Sequence, residues 1–222
     1  MFPLRDTQPS YSKPVVTVLL IVVNILIFLF EFSLDDYTRN AFISTYGLIP
    51  AHFAVTNVFT SMFLHGGWLH VLGNMWFLWI FGDNIEDILG HGKFLLFYLL
   101  CGVAAALAQV LFNPFSRVPM VGASGAIAGV MGAYMVKFPR ARIVTWIPIV
   151  WFTTFDIPAW AMLIYWFVLQ LFGGVESITA SQHSQGGGTA FLAHVGGFIA
   201  GMILIFLLGA RQPYSRRRDL SW

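Results

Sequence analysis

Charge is what this sequence has least of. Lys and Arg number 12 and Asp and Glu 10 in 222 residues, or 10%, where soluble domains carry about 25%. With 58% of residues hydrophobic and a mean hydropathy of +0.75, that deficit excludes a soluble domain and leaves a polytopic membrane protein, with the lipid bilayer as its first partner. No polar stretch between the apolar blocks is long enough to fold separately, so a second domain is not expected. A clustered basic region is missing as well, and the formal net charge is only +2, so no nucleic acid is expected as a partner. The single cysteine, Cys101, excludes an intrachain disulfide and reads as packing. The first apolar run starts after Lys13 without a small-residue cleavage site, which predicts a retained span.

What the chain has in quantity is apolar runs. Residues 14–32 form the first, close to the roughly 20 residues that cross a bilayer. The mixed stretch 33–64, with Asp35, Asp36, Arg39, Gly47, Pro50 and His52, is expected to be a long, partly embedded loop. A second span starts near Gly66-Gly67 and runs past Phe81 toward Asp83, Glu86 and Asp87; a third covers 94–112 and a fourth 124–138, ended by Pro139. Residues 143–156 are rich in aromatic and β-branched residues, but Pro148 divides them and they are too short to span, so an interfacial connector is expected. The fifth span runs over 157–173 with Pro158 in its first turn, and Gly186, Gly187 and Gly188 hinge into a sixth over 189–208. The resulting division is a cytoplasmic segment 1–13, a six-span unit 14–208 and a basic cytoplasmic tail 209–222.

With the N-terminus inside, Arg5, Lys13, Lys93, Lys137, Arg140, Arg142, Arg211, Arg216, Arg217 and Arg218 face the cytoplasm, and only Arg39 and Arg117 lie outside. That distribution obeys the positive-inside rule.

The stretch Gly122-Ala123-Ser124-Gly125 opens the fourth span with a serine at a helix N-terminus, where free backbone N–H groups favour negative charge. An isolated serine there is most often only an N-cap. Depth argues for more. The fourth span is about 22 Å long against a hydrocarbon core of about 30 Å, so with its inner end pinned by Lys137 and Arg140 it leaves Ser124 about 8 Å beneath the outer surface. His194 falls at the same level in span six, and His70 and Asn74 bracket it in span two at about 4 to 10 Å. Four polar residues at one depth on three spans are dear in lipid unless they face a cavity or each other, which predicts a site. Glycines 125, 129 and 132 make a small-residue row on span four, and Ala193, Gly197 and Gly201 one on span six, allowing close helix approach beside Ser124 and His194.

An imidazole beside a serine hydroxyl makes a nucleophile by taking its proton. The oxyanion of an acyl transfer would find donors in the Ser124 backbone N–H, the Asn74 amide and His70, the last two at i and i+4. This topology puts none of the ten acidic residues in the outer half of a span, so a Ser–His dyad rather than a triad is expected. A metal centre on His65, His70 and His194 is disfavoured, because His65 and His70 do not share a helical face and no HExxH is present. A small transporter is disfavoured by the lack of an internal repeat.

Together, Gly122-Ala123-Ser124-Gly125, His70-Val71-Leu72-Gly73-Asn74 and Ala193-His194-Val195-Gly196-Gly197, in this order on six spans, resemble the rhomboid intramembrane serine proteases over roughly residues 14–208. The resemblance implies an all-α, six-transmembrane-helix bundle with a short central fourth helix. It also implies a Ser124 nucleophile, a His194 base and an oxyanion site from His70, Asn74 and Ser124. The substrates it implies are single-span membrane proteins, cleaved near the outer face after spans two and five part; metals and organic cofactors are not part of the pattern. A compact six-span chain with both termini cytoplasmic points to the bacterial inner membrane, and the alternative function is an inactive relative that binds membrane clients. Two departures stand out. Some relatives stack an aromatic residue, four positions after the serine, on the catalytic imidazole, and this chain has Ala128. The Trp-Arg pair of some relatives is also missing from the first outer loop.

Overall fold

An apolar helix that must bury its backbone in lipid has its hydrogen bonds satisfied internally except at its ends, so the architecture is read best from how those ends are closed. The computed structural model describes residues 2–147, 153–180 and 190–211, with 173–180 described by backbone alone. The chain is predominantly helical: α1 (Val15–Ser33), α2 (Asp36–Tyr46), α3 (Val55–Thr60), α4 (Trp68–Leu89), α5 (His91–Phe112), α6 (Ser124–Lys137), α7 (Ala159–Ala180) and α8 (Phe191–Leu207). By length and composition, α1 and α5 qualify as membrane spans. The glycine hinge at 186–188, Pro148 and the arginines at 216–218 lie outside the described residues.

Helix α6 is the centre. All ten residues from Gly125 to Tyr134 are buried, and the helix packs on α8, α5 and α4. Its glycines let backbones touch: a Cβ on Gly201 would lie 1.9 Å from the Gly129 carbonyl oxygen, and one on Gly197 2.0 Å from that of Gly125. Across the other flank, a Cβ on Gly129 would meet Cys101 Sγ at 2.4 Å, so the buried thiol fills the notch between α5 and α6.

Helix α1 starts after Pro14 with no capping side chain of its own. The cap comes from α4: Glu86, fully buried, accepts from the Val16 and Thr17 backbone N–H groups at 2.8 Å each, and from Thr17 Oγ1 at 2.7 Å. A carboxylate at a helix N-terminus answers both the orphan donors and the dipole there. Gly90, at φ +77°, then turns α4 directly into α5.

Several expectations are corrected. The fold is not purely α: Phe2–Asp6 (β1), Arg142–Trp146 (β2) and Thr154–Pro158 (β3) form an antiparallel sheet in the order β1-β2-β3. The 143–156 stretch, expected as a connector, therefore contributes residues to two strands; burial alternates along β2, with Ile143 and Thr145 buried and Val144 between them less so. The N-terminal segment is held against α4. Trp76 Nε1 donates to the Pro3 carbonyl at 2.6 Å, and Asp87 accepts from the Ser12 N–H at 2.8 Å. Pro158 closes β3, one residue before α7, instead of sitting in a first helical turn. The 33–64 loop is largely helical, with Asp35 capping α2 through the Tyr37 and Thr38 N–H groups. An acid also lies within the first apolar helix, near its C-terminal end. Glu31 is buried in the last turn of α1 and accepts from the His65 backbone N–H at 3.2 Å.

The sheet is tied to the C-terminal end of α6, where the Tyr134 hydroxyl donates to Asp6. Burial lifts the Asp6 carboxyl to about 7, against the lowering effect of the Tyr134 bond. The folded protein thus holds a proton that the unfolded chain releases near 3.8, so stability falls as pH rises through this window and levels off above about 7. Thermal unfolding in detergent is expected to show that decline, and Asp6→Asn to flatten it; an unchanged slope in the variant would rule out Asp6 as its source.

Candidate active site

Ser124 is the first residue of α6, but it is not a cap. The N-cap position is Ala123, and no side chain caps the helix. The serine hydroxyl is turned to α8 instead, with Oγ 2.7 Å from His194 Nε2. A capping serine keeps its oxygen over its own helix; Ser124, one position further in, has its hydroxyl bonded between helices instead. The glycine contacts of α6 with α8 make the approach possible, since a methyl group at Gly197 would already collide with the Gly125 carbonyl across the seam, at 2.0 Å.

His194 is buried in the first turn of α8. Its other ring nitrogen, Nδ1, lies 2.7 Å from Gln170 Oε1 on α7. One turn away on the same helix, the Trp166 ring lies 5.8 Å from the imidazole, centroid to centroid, tilted by 39°. These two neighbours supply orientation that Ala128 cannot. Gln170 escapes motif reading because it stands alone, without a companion at fixed spacing. One signal was present: it is an isolated amide in the apolar run Ala159–Phe172, and intramembrane polar residues are costly unless used.

His70 and Asn74, one helical turn apart on α4, both face Gly122. That glycine has φ +125°, and a side chain there would land 2.6 Å from His70 Nε2 and 3.6 Å from Asn74 Nδ2. Only glycine fits both the conformation and the close approach. Its N–H donates to the Ser61 carbonyl at 2.9 Å, which fixes the turn entering α6. The Gly66 N–H lies 3.4 Å from His70 Nδ1, an acceptor arrangement that leaves the ring proton on Nε2, the atom nearest Gly122. Asn74 Nδ2 is buried and has no hydrogen-bond partner among the described residues.

Glu31 and His65 form a separate buried pair beside His70, the two imidazoles being 5.1 Å apart. Among the described residues no group of three or more His, Cys, Asp and Glu side chains is arranged to hold a metal ion.

The sequence model of the Rhomboid domain matches residues 52–211. Similar proteins include Rhomboid protease GluP of Bacillus subtilis, 36% identical over 128 residues, which is 56% of this chain and 25% of that one. Rhomboid protein 1, mitochondrial, of Saccharomyces cerevisiae is 25% identical over 186 residues, 81% of this chain and 50% of the relative. Rhomboid-like protein 11, chloroplastic, of Arabidopsis thaliana is 29% identical over 174 residues, covering 73% and 55%. The chain thus spans a quarter to about half the length of these relatives.

Proposed function

The chain belongs to the rhomboid family, and from that premise we propose that it is a membrane-embedded serine endopeptidase acting through Ser124 and His194. The single observation that carries the reading is the 2.7 Å contact of the serine hydroxyl with a buried imidazole on another helix. Serine is a weak nucleophile until a base takes its proton. His194 Nε2 accepts that proton as Oγ attacks the scissile carbonyl, and returns it to the leaving amine.

The developing oxyanion is met by the Ser124 backbone N–H, the Asn74 amide and His70 Nε2. Two features support this. The first turn of α6 carries no capping side chain, so its N–H groups stay free for a reacting oxygen. Asn74 Nδ2 is a buried donor without a protein partner, and such donors are expensive unless something in the working cycle satisfies them.

The finer topology belongs to the same proposal: six spans over residues 14–208, short basic segments at 1–13 and 209–222 on the cytoplasmic side, and single-span membrane proteins cut near the outer face. The bacterial inner membrane is the proposed location. GluP supports it, while relatives named as mitochondrial and chloroplastic share the family.

A fluorophosphonate probe tests the reading, because it phosphonylates an activated serine through an oxyanion-bearing transition state. Detergent-solubilised protein is expected to label and Ser124→Ala is not. Asn74→Ala is expected to slow labelling and lower kcat about 10²-fold with KM little changed, since its donor matters chiefly in the transition state. Equal labelling of wild type and Ser124→Ala would instead indicate an inactive client-binding relative, and a loss confined to KM would remove Asn74 from the oxyanion site.

A further inference from the structure

The His194 ring is held from the side by one helix that carries neither member of the Ser–His pair. Gln170 and Trp166 lie four residues apart on α7 and therefore on one face, and both meet the imidazole. The grip extends a turn along α8: Trp166 and Phe167 pack on Phe198, at 6.0 Å and 4.7 Å between ring centroids. At position 128 of α6 stands a buried alanine, which has no ring to offer. We propose that Gln170 is the positioning residue for His194, fixing the tautomer in which Nδ1 carries the proton and Nε2 is bare.

The chemistry is that of a two-state ring. Neutral imidazole has one N–H, and only the tautomer with an unprotonated Nε2 can accept the Ser124 proton. A carbonyl oxygen 2.7 Å from Nδ1 accepts and cannot donate, so it selects that tautomer. When the proton arrives on Nε2, the Nδ1–H stays where it was and the ring stays aimed at Oγ. In water-exposed triads a carboxylate does this and also stabilises the imidazolium. At membrane depth a carboxylate would have to be buried as a charge, whereas an amide orients the ring without one. Gln170 thus supplies the orienting half of a triad acid's work. Because both restraints on the ring come from α7, productive geometry at Ser124 depends on α7 being docked against α8.

This inference rests on His194 being the base, so the experiment reads the two separately. Full-length wild type, Gln170→Leu and Gln170→Glu are compared: leucine keeps the bulk and removes the acceptor, while glutamate keeps an acceptor oxygen at the same reach. Gln170→Leu is expected to lower kcat and the labelling rate of Ser124 about 10- to 100-fold, with KM and thermal midpoint unchanged. Gln170→Glu is expected to restore most of the rate. Nitrogen-15 NMR of histidine-labelled protein, with the His194 signal assigned against His194→Ala, is expected to show protonated Nδ1 in wild type and a mixture of tautomers in Gln170→Leu. A Gln170→Leu rate close to wild type, equal losses in both variants, or a wild-type ring protonated at Nε2 would each overturn the assignment. If wild type and Ser124→Ala label alike, the protease reading fails by itself, and the NMR comparison still reports whether Gln170 holds the ring.

Discussion

Alanine at position 194 is expected to abolish hydrolysis of a single-span substrate as fully as alanine at position 124, and the double variant is expected to be no worse than either alone. Each single loss should be about 10³-fold or more, because nucleophile and base act as one unit and removing either leaves only binding and the oxyanion donors. If the two side chains contributed separately, the double variant would show the product of the two losses. The geometry argues for the unit: His194 Nε2 has Ser124 Oγ as its partner at 2.7 Å, and that hydroxyl caps no helix of its own. Initial rates in reconstituted vesicles, with each variant checked for folding by its thermal midpoint, decide the matter. A His194→Ala protein that keeps a tenth of wild-type activity, or a double variant far below both singles, would separate the residues and dissolve the pair.

Ser124, His70, Asn74 and His194 could be picked out from sequence because hydropathy makes polar residues inside apolar runs conspicuous and helical rise converts position into depth. The same rule, applied to the fifth span, marks Gln170, but nothing in sequence ties it to His194. The two stand on neighbouring helices, and no period links them. Glu31 was hidden for another reason. An acid at the end of an apolar run looks like a boundary, while its burial beside His65 depends on how residues 61–67 pack back over α1. The sheet was the hardest part to read. Phe2 pairs with Trp146 and Asp6 with Ile143, so one strand lies in a short polar N-terminal stretch and its partner far along the chain, where alternation is masked by general apolarity. The end of α6 was easier, since Pro139 stops a helix by local geometry alone, whereas the turn at Gly90 between α4 and α5 was masked by the acids at 83, 86 and 87.

Among the described glycines, Gly201→Ala is expected to be the most destructive single-methyl change. The added Cβ would sit 1.9 Å from the Gly129 carbonyl oxygen, 2.5 Å from its carbon and 2.6 Å from its Cα. All three are backbone atoms of a buried helix, so no side chain can swing aside, and α8 must move off α6. Overpacking against mobile neighbours costs about 1–3 kcal/mol; against backbone the loss is expected at or beyond the upper end of that range. Function should suffer more than stability. Ordinary contact requires the helices to part by more than an ångström, and an added ångström between Ser124 Oγ and His194 Nε2 breaks a 2.7 Å hydrogen bond, a displacement that costs about 10²-fold in rate. Gly92→Ala is the matched control, because a Cβ there meets nothing within 4 Å and alanine is the better helix former by about 1 kcal/mol. Thermal unfolding in detergent and Ser124 labelling per folded molecule are the measurements. A Gly201→Ala protein with the midpoint and labelling rate of Gly92→Ala would mean that the α6–α8 seam does not set the distance on which the chemistry depends.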